Sequence, residues 1–79
     1  MGRKSSHHST IHQPRYKSLI KKLIGVRLAA GLKQEDMAKA LGLTQPDVSK
    51  IERFERKLDA LEFIQWLETT GGNFKSLSS

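Results

Sequence analysis

Between Thr44 and Arg53 the chain reads Thr-Gln-Pro-Asp-Val-Ser-Lys-Ile-Glu-Arg, which sets an amide, a hydroxyl and two long cations at helical spacing beside a tight turn. A glutamine amide carries a donor and an acceptor side by side, the complement of adenine N6 and N7. Lysine and arginine match guanine O6 and N7, or a phosphate, and serine is short enough for either. At 100° per residue, Val48, Ile51 and Glu52 fall on one side of such a helix and Pro46, Ser49, Lys50 and Arg53 on the other. Gln45 stands at the exposed first turn. Any surface helix has a polar outer face, so the weight rests on the turn in front of it. Asp47 has the chemistry to accept from cytosine N4, but a capping role explains it better.

Other chemistry is poorly represented. There is no cysteine, so no disulfide, thiolate metal site or cysteine nucleophile. No nucleophile stands with a base, no carboxylate pair lies in a plausible cleft and no phosphate-binding loop occurs, so an enzyme is not expected. His7, His8 and His12 have the nitrogens of a metal site but no acid or cysteine beside them, and a polar tail is the better account. No metal or cofactor is expected. The N-terminus lacks a long apolar run and nothing approaches a membrane span, so the expectation is a cytoplasmic chain that sits on the nucleoid when bound to DNA.

The candidate contacts need elements to carry them. Seventy-nine residues allow one small domain, with its apolar residues clustered between Leu19 and Leu67. Residues 1–15 read as a flexible basic arm, 16–72 as the folded domain and 73–79 as a short tail. Ile20, Leu23, Ile24, Arg27 and Leu28 recur at helical spacing and predict a helix over 16–30, ended by Gly31. A second helix over 34–41 turns Met37, Ala38 and Leu41 inward, and Ala38 and Ala40 permit close approach. Gly42 ends it, and Thr44 caps a third helix over 45–53 with Asp47 at the third position. Pro46 has no N–H, so the threonine oxygen must find the amide of Asp47. A fourth helix over 59–70 carries Leu61, Phe63, Ile64, Trp66 and Leu67, and Gly71-Gly72 stops it. Phe74 and Leu77 allow one further turn. The fold class is all-α, a compact bundle of four to five helices.

Arg27 and Glu52 interrupt apolar stripes, and a charge on an inward face is normally paired. They are expected to pair with each other and set the angle between the first and third helices. Gln34, at the start of the second helix, can aim its amide at a phosphate. Lys33, Lys39 and Thr44 join it as candidate phosphate contacts, the lysines being equally consistent with a solvated face. The charge agrees: the chain carries +6, and residues 58–79 hold Lys75 against Asp59, Glu62 and Glu68. The basic excess therefore lies on the arm and the paired short helices, which favours a polyanion.

Two short helices around Gly42-Leu43-Thr44 in a basic chain make a helix-turn-helix and point to duplex DNA. Over residues 16–72 the chain resembles the Cro/lambda-repressor (XRE) family, most strongly in Arg27-Leu-Ala-Ala-Gly-Leu-Lys-Gln and Leu43-Thr-Gln-Pro-Asp-Val-Ser-Lys-Ile-Glu-Arg. The run Leu58-Asp-Ala-Leu-Glu-Phe resembles bacterial chromosomal members. The resemblance implies a five-helix fold, a dimer on duplex DNA and transcriptional control, usually repression. It also implies a phosphate contact at Gln34, base contacts beginning at Gln45, and a buried ion pair at Arg27 and Glu52.

Three departures stand out. Lys33 replaces the usual Thr or Ser, so the second helix loses a cap worth about 1 kcal/mol. Pro46 removes a side chain that often contacts DNA. Phe54 stands where the family usually has glycine, so either the third helix runs longer or Phe54 adopts a costly backbone and packs its ring. In the second case Phe54 or Trp66 becomes available for a dimer contact, with the core the better place for Trp66. Two other functions fit the same residues. One is the antitoxin of a toxin–antitoxin pair, which a partner-binding arm would serve. The other is a protein-interaction module that has lost its DNA affinity.

Overall fold

Pro14 opens the first long helix, α1 (Pro14–Ala29), because a proline at the first helical position lacks an N–H that would have no intrahelical partner there. The computed structural model describes residues 11–72. Among them, α1 is followed by α2 (Gln34–Leu41), α3 (Gln45–Glu52) and α4 (Ala60–Thr70), with no strand. Pro14 and Arg15, expected in the arm, are thus the first turn of α1, and Ile11 and His12 are helical ahead of the break at Gln13. The rest of the expected arm and the turn expected around Phe74 and Leu77 lie outside the described residues.

The core takes Ile20 and Leu23 from α1, Met37, Ala38 and Leu41 from α2, Val48 and Ile51 from α3, and Trp66 from α4. Trp66 is fully buried and its indole N–H donates to the Leu23 carbonyl at 3.0 Å, so its polar atom is satisfied. That burial removes Trp66 from any contact between copies. One expected inward position points out instead. Leu28 is 61% exposed, because Arg27 takes the inward position at the last turn of α1 and Leu28 lies a further 100° round. Leu61 and Ile64 are 62% and 49% exposed, since Glu62 and Trp66, one turn apart, define the inner face of α4. Ala40 is exposed, so Ala38 alone provides the close approach on α2.

One turn type ends each of the first three helices. The amide of Leu32 returns to the Arg27 carbonyl at 3.1 Å, Leu43 to Ala38 at 2.8 Å and Glu55 to Lys50 at 2.8 Å. Each turn needs a left-handed residue, supplied by Gly31 (φ 75°), Gly42 (φ 70°) and, after α3, Phe54 (φ 64°). The third helix therefore stops at Glu52, short of the expected residue 53. Phe54 takes the costly backbone, and its half-buried ring packs on the core with the Lys17 ammonium 5.3 Å from its centroid.

Candidate nucleic-acid interface

Thr44 sets the start of α3. Its hydroxyl oxygen accepts from the Asp47 amide at 3.2 Å, and Asp47 Oδ2 accepts from the Thr44 amide at 3.1 Å, the reciprocal cap that Pro46 permits. Hydrogen bonding to the carboxylate from the Thr44 amide, and next from the Thr44 side chain, holds the Asp47 carboxyl below its ordinary range. Asp47 is engaged at the cap, which agrees with the capping role over a base contact. Lys33 has no side-chain acceptor, so only the return half of the equivalent box forms at α2, where its amide donates to Asp36 Oδ2 at 2.8 Å.

Behind α3 lies the ion pair of Arg27 and Glu52. Arg27 Nε donates to Glu52 Oε2 at 2.7 Å and Nη2 to Oε1 at 3.1 Å, while Nη1 donates to the Leu32 carbonyl at 2.7 Å. Both side chains are under 10% exposed, at 9% and 8%. This ties α1, the turn after it and α3 together through one guanidinium. A planar fork meeting a carboxylate at two points fixes angle as well as distance.

The carboxylate does more than close the pair. Gln34 Nε2 donates to Glu52 Oε1 at 2.9 Å, and Gln45 Nε2 donates to Gln34 Oε1 at 2.7 Å. An ionised carboxylate only accepts, so Gln34 must turn its NH2 inward and its carbonyl oxygen outward. That oxygen in turn requires the NH2 of Gln45. One proton of the Gln45 NH2 and its carbonyl oxygen remain, side by side, on the exposed first turn of α3. The donor–acceptor pair expected at Gln45 is thus aimed by a chain that begins at a buried arginine.

The remaining expected contacts fall around it. Lys50 and Arg53 are exposed, Ser49 is half-buried, and Thr44, Lys33 and Lys39 are exposed. Arg53 lies 3.4 Å from Glu55, but both are more than half exposed, so the pair is weak and leaves the guanidinium free to exchange partners. Gln34 and Gln45 share a shallow concavity of about 580 Å³ with Lys33 and Leu28. No helix among the described residues is long and apolar enough to cross a membrane.

Some relations were not foreseen. The Gln45–Gln34 bond joins the first residues of two consecutive helices, and that shared position was the available signal. Arg56 makes a second forked pair with Glu62, Nη1 to Oε1 and Nη2 to Oε2, both at 3.0 Å. The pair lowers the Glu62 carboxyl and raises the Arg56 guanidinium, chiefly through these hydrogen bonds. Asp59 and Glu62 also form a capping box, at 2.8 and 3.1 Å, which the Asp-Ala-Leu-Glu spacing would have revealed.

The comparisons with known proteins agree with this geometry. Residues 23–76, more than half of the chain, match a helix-turn-helix family model. No curated protein matches the chain.

Proposed function

The chain belongs to the helix-turn-helix family of the XRE, lambda-repressor-like type and is a DNA-binding regulator; from that premise we propose that it is a sequence-specific repressor acting as a dimer. In this reading α3 enters the major groove. Gln45 pairs with the N6/N7 edge of an adenine, while Ser49, Lys50 and Arg53 meet further base edges or phosphates. Gln34, Lys33, Lys39 and Thr44 hold the backbone at the start of α2 and in the turn. Two copies place their α3 helices in successive major grooves about 34 Å apart on a pseudo-palindromic site. Repression is the sign that the resemblance to the Cro/lambda-repressor family implies.

The observation that carries the proposal is the chain of hydrogen bonds from Arg27 through Glu52 and Gln34 to Gln45. A solvated polar face has no need of a fixed amide. A side chain that must meet a base edge at two points gains from one, because less rotamer entropy is lost on binding. Selection of bound duplexes from a random pool at about 150 mM salt tests the proposal, since that salt suppresses purely ionic binding. The expected result is a two-fold symmetric motif with half-sites about one helical turn apart. Retention of DNA without an enriched motif would leave backbone binding only and overturn the sequence-specific reading.

A further inference from the structure

Of the apolar residues that α3 carries, Val48 and Ile51 are fully buried, while Pro46 is exposed. At about 100° per residue, Gln45, Ser49, Arg53, Pro46 and Lys50 follow one another round the outer arc of the helix. Pro46 is thus an apolar ring among polar and charged neighbours. It stands one residue after the Gln45 amide, which the hydrogen bonds through Gln34 to Glu52 hold in place. A proline in the first turn suits a helix start, because its missing N–H would have had no intrahelical partner. That start is also secured by the reciprocal bonds between Thr44 and Asp47, at 3.2 and 3.1 Å, neither of which uses an atom of Pro46. The ring therefore stands at the surface with its φ fixed and almost no side-chain entropy to lose on contact.

We infer that Pro46 is a specificity-determining residue, its ring reading the C5-methyl group of a thymine in the base pair next to the adenine met by Gln45. This role rests on the proposal that α3 enters the major groove, and it names what the groove must present there. The groove floor offers hydrogen-bonding atoms at every base and one apolar group, the thymine methyl. Pro46 has no donor on its backbone nitrogen, and its side chain has neither donor nor acceptor. Pressed onto a guanine or cytosine edge, the ring would strip polar atoms of water and return no hydrogen bond. Against a thymine the same ring covers a methyl group and removes apolar surface from water. Pro46 thus selects twice, by favouring thymine and by penalising the polar edges of its competitors. Its place in the first turn, directly after Gln45, sets the two side chains on neighbouring steps of the groove, where the first residues of a recognition helix meet base edges. Ser49 and Lys50, one turn further on, keep the hydrogen-bonding contacts.

The test starts from the duplex that the wild-type chain selects from a random pool. Each thymine of a half-site is replaced in turn by deoxyuridine, which pairs identically and lacks only the methyl group. The expected result is one position, next to the adenine whose preference Gln45→Ala relaxes, at which wild-type binding weakens. The loss should be about fourfold per half-site, the weight of one buried methyl group. Pro46→Ser should bind the thymine and deoxyuridine duplexes alike, because a hydroxyl meets the O4 that both bases carry. The effect is a difference between two duplexes on one protein, so any stability that the proline lends to the helix start cancels. The melting temperature of Pro46→Ser reports that stability separately. Deoxyuridine tolerated at every position would overturn the inference. An equal loss in the wild type and Pro46→Ser would do the same, since the methyl would then touch another residue. A selected motif with no thymine at that position would also overturn it, while leaving the sequence-specific reading intact. No selected motif at all would sink that reading, and the role of Pro46 with it.

Discussion

Two arginine–glutamate forks hold this small domain, and they do different work. Arg27 and Glu52 join α1 to α3 across twenty-five positions and are both nearly buried. Arg56 and Glu62 lie six positions apart, and the arginine side chain is one-third exposed. The first fork has its carboxylate shared with Gln34, which carries the constraint outward to Gln45. The second shares its carboxylate with the Asp59 amide, so it fastens a loop onto the start of α4 and goes no further. The same pair of side chains thus supports the proposed interface in one place and a helix start in the other. What separates them is burial and the identity of the third partner.

The largest break should come at the buried fork. Arg27→Ala leaves Glu52 desolvated and unpaired, and should cost about 3–5 kcal/mol in urea denaturation followed by Trp66 fluorescence. Replacing both partners by apolar residues (Arg27→Met with Glu52→Leu) should recover most of that loss, because no orphan charge remains. The double variant should nevertheless bind DNA less selectively, having lost the acceptor that orients Gln34. Arg56→Ala should cost less, about 1–2 kcal/mol, since water reaches the exposed side of the pair.

Acid should sharpen the same contrast. An unfolded glutamate titrates near 4.5, and Glu62 in the fold titrates below that because Arg56 binds its ionised form. The unfolded chain then takes up the proton first, so the stability from this pair is complete above the unfolded value and is lost as pH falls through the folded one. The urea midpoint of the wild type should therefore drop as pH falls below the unfolded value of 4.5, and that of Arg56→Ala should drop less. A steeper fall in the variant would show that another carboxylate dominates.

The smallest expected difference concerns the turn that leads from α3 to the second fork. Phe54→Ala keeps a left-handed non-glycine backbone and loses the ring, whereas Phe54→Gly loses the ring and relieves the backbone. The glycine variant should be more stable than the alanine variant by about 1 kcal/mol. Equal thermal midpoints would mean that the strain at φ 64° is absorbed elsewhere.

The buried fork was legible in the sequence because each member breaks an apolar stripe, and a charge on an inward face needs a partner. The second fork was not, since Arg56 lies in a loop with no period and Glu62 is a single charge among the apolar Leu61, Phe63 and Ile64. Both ends of α2 and the start of α3 were legible because glycine and threonine have strong local preferences at turns. Phe54 could be recognised only as an anomaly: packing of the ring, a tertiary matter, decides that the helix stops. The polar face of α3 was readable residue by residue. The hydrogen bond that aims Gln45 was not, because it depends on how α2 and α3 cross.

In the proposed complex Gln45 reads a base edge from a fixed position. The most direct test compares Gln45→Ala with the wild type on the best selected duplex and on random duplex at the same salt. The expected result is a loss of about 1–3 kcal/mol on the selected site, close to no change on random DNA, and relaxed preference at one position of each half-site. Equal losses on both duplexes would contradict it, since the side chain would then be contacting only the backbone.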